Sequence, residues 1–176
     1  MKGPVKLLGH PIHPMLIVFP LGLLGTAVIF DLIATSTDNQ GFYVVSYWMI
    51  AAGLVGGLLA AIFGFFDWLS IRSGTRAKSV GGWHGLGNLV IVILFALSWW
   101  IRSQDPNNVP SSFAFILSLL GFGLALVTAW LGGELVYRLG MAVDEGAHEN
   151  APSSLTHASP TSGGSQRRNL AGRSGD

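Results

Sequence analysis

Few residues in this chain could do chemistry, and most of those sit where apolar stretches begin or end. "GHPIHP" carries His10 and His13, three residues apart and each followed by a proline. "FGFFDW" carries Asp67, "WHGLGN" carries His84 and Asn88, and "WLGGELVYR" carries Glu134. Imidazole and carboxylate together are usual ligands of zinc and iron. Two imidazoles alone can ligate a haem iron. The chain has no cysteine. Thiolate metal sites, iron–sulfur clusters, disulfides and covalent haem attachment through CxxCH are therefore excluded.

The elements that position these residues are long and apolar. Half of the 176 residues are hydrophobic and 11% are charged, against roughly a quarter charged in soluble domains. Four runs are long enough for a bilayer, which needs about 20 apolar residues. They cover about 15–34, 44–66, 83–101 and 113–136. The first is too long for the apolar core of a signal peptide, and three more follow. "STDNQG", "IRSGTRAKSVGG" and "SQDPNNVPSS" read as the loops between them.

Basic residues alternate across these loops. Lys2 and Lys6 precede the first run; Arg72, Arg76 and Lys78 lie in the second loop; the third loop has only Arg102; Arg138 follows the fourth run. The positive-inside rule then puts both termini in the cytoplasm. The fold expected is all-α, an integral membrane four-helix bundle over residues 1–144. Beyond it lies a polar tail, 145–176, too poor in apolar residues to order itself. A net charge of +1 gives no case for nucleic-acid binding.

This topology carries His10, His13, Asp67, His84 and Glu134 to the cytoplasmic face, with Asn88 one turn deeper beside His84. Ionisable residues within spans are costly and point to function. Each also has a plainer reading. The two prolines set helix entry, Asp67 pairs with Arg72 or Arg76, and Glu134 pairs with Arg138 at i+4. Asp31 lies about 27 Å along the helix from His13. With nothing basic nearby in sequence, it reads as a helix-exit cap. Small residues at four-residue spacing on spans two and four read as packing stripes, and Pro20 should kink span one. Spans one and three share a His-led entry, but their likeness is too slight to establish a repeat.

These stretches carry a resemblance. "GHPIHPMLIVFPLGLL", "FGFFDW", "WHGLGN" and "WLGGELVYRLG" look like the bacterial membrane protein family called domain of unknown function 2231, over about residues 8–143. The resemblance implies a multi-pass protein of the bacterial cytoplasmic membrane. Some family members are joined to Rieske or cytochrome c domains, which implies a redox partner by analogy.

The leading expectation is a haem- or metal-dependent electron-transfer component. Haem b would use His10, His13, His84 and Asn88; a divalent metal would use His10, His13, His84, Asp67 and Glu134. The alternatives are a metal-ion binding or transport protein acting as a homo-oligomer, and a non-enzymatic scaffold or assembly factor. No hydrolytic or nucleotide-binding motif is present.

Overall fold

The computed structural model describes residues 5–156 and 158–160. Two short strands, β1 (Lys6–Leu7) and β2 (His10–Pro11), pair antiparallel through a turn at Leu8 and Gly9, both at positive φ. Five α-helices follow: α1 (Ile12–Leu16), α2 (Val18–Thr37), α3 (Gly41–Ser70), α4 (Arg76–Arg102) and α5 (Ser112–Gly133). With α1 and α2 counted as one, these are four helices long and apolar enough to cross a membrane.

Proline chemistry shapes the first span. Pro11 is the N-cap of α1 and Pro14 lies in its first turn, where backbone N–H groups have no intrahelical acceptor to lose. Pro20 has no N–H to give the carbonyl of Leu16, and the helix is interrupted there, between α1 and α2. The path continues because the N–H of Ile17 donates to His13 and that of Leu21 donates to Ile17. The kink expected at Pro20 thus falls one turn before it.

The helices overrun the apolar runs. The stretch 71–82, expected as loop, is helical from Arg76 onward. Thr75 caps α4 by accepting from the N–H of Lys78 at 3.2 Å. Gly81 is tolerated within α4 because it lies against Trp68, which a Cβ would approach to 3.0 Å. At the other extreme, α5 stops at Gly133, and Glu134–Arg138 winds as a π-helix.

Helix α2 packs mainly on α3 and α4 on α5, with α3 against α4 and α2 against α5 closing the bundle. Its core is Leu24, Ala27, Val28, Ile50, Ile91 and Phe95. Outward faces remain apolar, with Val18, Phe19, Val55, Leu58, Leu89 and Leu120 among many exposed large side chains. A surface of that kind is suited to lipid and not to water. The chain is a membrane protein with four spans.

The N-terminal hairpin and the segment after α5 meet at one end. Lys6 Nζ lies 3.0 Å from Asp144 Oδ1, and Ser154 Oγ donates to the carbonyl of Leu8 at 3.0 Å. Of the tail expected to be unstructured from residue 145, residues 145–156 and 158–160 are described and include a 3-10 turn at Ser154–Thr156; His157 and residues from 161 onward lie outside the described residues.

Candidate functional site

Two polar layers cross the bundle, one near each end. The first holds His13 and His84. Each ring donates its Nδ1–H to a backbone carbonyl of a neighbouring helix: His13 to Ala60 on α3 at 2.8 Å, and His84 to Thr128 on α5 at 2.9 Å. A carbonyl can only accept, so both rings carry a proton on Nδ1, and Nε2 is the ring nitrogen left to other partners.

Glycines make the room. A Cβ on Gly64 would stand 2.8 Å from His13 Cε1, and one on Gly132 would stand 3.2 Å from His84 Cε1. Each glycine lies four residues beyond the carbonyl its histidine uses, so acceptor and slot share one helix face. The two rings face each other edge to face, with centroids 6.4 Å apart and planes at 86°.

The two Nε2 atoms differ in what they meet. His84 Nε2 accepts from Asn88 Nδ2 at 3.1 Å, one turn along α4. Asn88 Oδ1 in turn accepts from Thr128 Oγ1 at 3.3 Å. His13 Nε2 makes no hydrogen bond among the described residues. Asp67 lies close enough to His13 to interact through space, and its Oδ1 is buried with no hydrogen-bond partner. The pairing with Arg72 or Arg76 expected from sequence does not form among the described residues.

The other expected residues sit elsewhere. His10 is exposed in β2, with Nε2 3.2 Å from Ser154 Oγ. Glu134 pairs with Arg76 at 2.7 Å rather than with Arg138. The π-helix changes the face spacing on which an i+4 pair depends, and the early start of α4 brings Arg76 within reach. Of the residues singled out in sequence, the structure therefore brings together His13, His84 and Asn88, with Asp67 beside His13. Among the described residues, no three His, Asp or Glu side chains are grouped so as to hold a metal ion.

The second layer was not foreseen. Arg102, read as a loop residue, is the last residue of α4 and is fully buried, as is Asp31. Arg102 Nη1 donates to Asp31 Oδ1 at 2.7 Å and Nη2 to Asp31 Oδ2 at 2.6 Å. Nε donates to Ser98 at 3.2 Å, Nη1 also to Ser46 at 3.3 Å, and Nη2 also to Ser118 at 3.2 Å. All five guanidinium N–H groups are thereby used. The acceptors come from all four spans. Asp31 is thus half of a bidentate buried ion pair, not a simple helix cap. The signal was available: Asp31 and Arg102 are opposite charges at the same end of spans that run in the same direction.

The family model described as "Predicted membrane protein (DUF2231)" matches residues 9–145, which include every residue of both layers. Nothing matches among curated proteins or among solved structures. The chain belongs to the DUF2231 family of predicted membrane proteins.

Proposed function

For this member of a family of predicted membrane proteins, we propose that the His13–His84 pair holds haem b and that the protein is an electron-transfer component of the membrane. The observation that carries the reading is the anchoring of both rings. A metal-ligating histidine characteristically donates its second ring N–H to a carbonyl or carboxylate, which fixes the tautomer and aims the other nitrogen. Here two histidines on different spans are held in that way, with Nε2 left to ligate.

Two features favour haem over a bare ion. A structural or catalytic zinc site draws three or four ligands from the protein, whereas a porphyrin supplies four nitrogens and leaves two positions for imidazole. The rings are also close, with centroids 6.4 Å apart, so a single metal centre between them would be within reach of both. When bound, the haem would supply a one-electron couple. The chain's part is to present the two nitrogens and to keep the iron within an apolar bundle. Asn88 donates to His84 Nε2 at 3.1 Å and would have to release it for that nitrogen to ligate.

By the positive-inside rule the histidine layer faces the cytoplasm, with Arg76 and Lys78 on the same side. The membrane is then the cytoplasmic membrane of a bacterium. Asp67 supports a second reading, a divalent cation shared by His13 and the unpartnered carboxylate.

The test is the dithionite-reduced minus air-oxidised visible spectrum of detergent-purified protein made with ample haem. Sharp b-type bands are expected in the wild type and not in His13→Ala or His84→Ala. A flat wild-type spectrum would rule haem out, and elemental analysis for zinc and iron would then decide the second reading.

A further inference from the structure

The two halves of the chain share a pattern of contacts and burial at constant offsets in residue number. One offset in residue number, the 71 that separates Asp31 from Arg102, also takes Leu23 to Leu94, Leu24 to Phe95, Ala27 to Ser98 and His13 to His84. A second constant offset takes Ser46 to Ala114, Ile50 to Ser118, Gly53 to Gly121, Ala60 to Thr128 and Gly64 to Gly132.

The packing repeats with the numbering. A Cβ on Gly53 would meet the side chains of Leu24 and Leu23, and a Cβ on Gly121 would meet those of Phe95 and Leu94. His13 uses the carbonyl of Ala60 and the slot of Gly64, while His84 uses the carbonyl of Thr128 and the slot of Gly132. Burial repeats as well. Leu24 and Phe95, Ala27 and Ser98, Asp31 and Arg102, Ser46 and Ala114, Ile50 and Ser118, Ala60 and Thr128 are buried in both halves.

Spans one and three run in the same direction, because their histidines meet in one layer and Asp31 meets Arg102 in the other. Two like hairpins with parallel first helices are related by an axis along the bundle. Equivalent residues that touch each other must lie beside that axis, and the pairs that touch are His13 with His84 and Asp31 with Arg102.

We infer that the chain is two equivalent helix hairpins closed about an internal two-fold axis, and that the ligand of the histidine pair lies on this axis, held by one imidazole from each half. The ligand class follows: a single metal centre that presents two like faces, bound once per chain. This rests on the haem reading for the ligand but not for the axis. It also explains the second layer. A two-fold axis brings like residues together, and two like charges buried side by side would repel. The halves differ at that position, one carrying Asp and the other Arg.

Two experiments on the full chain test the two parts separately. In the ferric wild type, electron paramagnetic resonance should show one low-spin, bis-imidazole iron per chain. His13→Ala and His84→Ala should each abolish that signal to the same degree. Retention of the bis-imidazole signal in either variant would overturn the on-axis ligand. Absence of any haem from the wild type would overturn the parent reading and the ligand with it, but would leave the axis to the second experiment. There, Asp31→Arg and Arg102→Asp are compared singly and together by thermal unfolding in detergent. Each alone should lower the melting temperature sharply, and the exchange should recover part of the loss: the ion pair re-forms at equivalent positions, but Ala27, Ala114 and Ile50 stand where Ser98, Ser46 and Ser118 serve Arg102. An exchanged pair no more stable than the single variants would overturn the axis.

Discussion

The two polar layers use similar means for opposite ends. Every N–H of the Arg102 guanidinium has an acceptor, both carboxylate oxygens of Asp31 are occupied, and neither side chain reaches solvent. Around His13 and His84 the Nδ1 protons are tied down, but His13 Nε2 makes no hydrogen bond among the described residues and Asp67 Oδ1 is buried without a donor. A buried polar group without a partner costs about 1–3 kcal/mol, and more when charged. The closed layer carries no such cost within its ion pair and fits a role in holding four helices in register. The open layer carries the cost at Asp67 Oδ1 and leaves that acceptor without a donor, as a site for a positively charged centre would.

The largest expected effect separates the layers by stability. Arg102→Met or Asp31→Leu leaves one buried charge alone and should destabilise the bundle by about 3–5 kcal/mol. Replacing both should recover most of it, because two apolar groups leave no charge unpaired. Thermal or chaotrope unfolding of the three variants checks this. Equal losses in the single and double variants would mean that the pair is not the lock it resembles.

Next come the glycine slots, which sharpen the comparison from the open side. Gly64→Ala would bring a Cβ to 2.8 Å of His13 Cε1 and 2.9 Å of its Nδ1; Gly132→Ala would come no nearer than 3.2 Å to His84. Both should lower haem retention. Gly64→Ala should do so several-fold more, since its neighbour has less freedom to yield at the shorter distance. Haem-to-protein ratios after gel filtration give the order, and the reverse order would show that His13 is not held by that slot.

The smallest effects concern the groups beside the rings. Asn88→Ala frees the lone pair of His84 and should leave haem affinity unchanged or raise it a few-fold, as measured by spectral titration. A loss of tenfold or more would make Asn88 a holding group instead.

Much of this was legible in the sequence. Apolar run lengths gave the four spans, and topology alone put His13, His84 and Asp67 at one level. Reading stopped where a contact depended on side-chain direction. His10 and His13 are three residues apart, yet one lies in a strand and the other in a helix, so their shared face never forms. Glu134 lost its expected partner to a π-helix that no composition signals. Asp31 looks solitary in the sequence because its partner lies 71 residues away, in a stretch that reads as loop. The internal two-fold was faint for a related reason. What repeats is burial and the matching of a glycine to a large side chain, and few of the residues are identical.

The measurement that bears most directly on the contrast is a ferric haem titration of three refolded apo-proteins: wild type, His84→Ala and Arg102→Lys. The account predicts that Arg102→Lys melts at a lower temperature but binds haem once per chain with wild-type affinity. It predicts that His84→Ala keeps its melting temperature and loses at least tenfold in affinity. If haem binding instead followed stability, failing with Arg102→Lys and surviving in His84→Ala, the assignment of one layer to structure and the other to ligand would be contradicted.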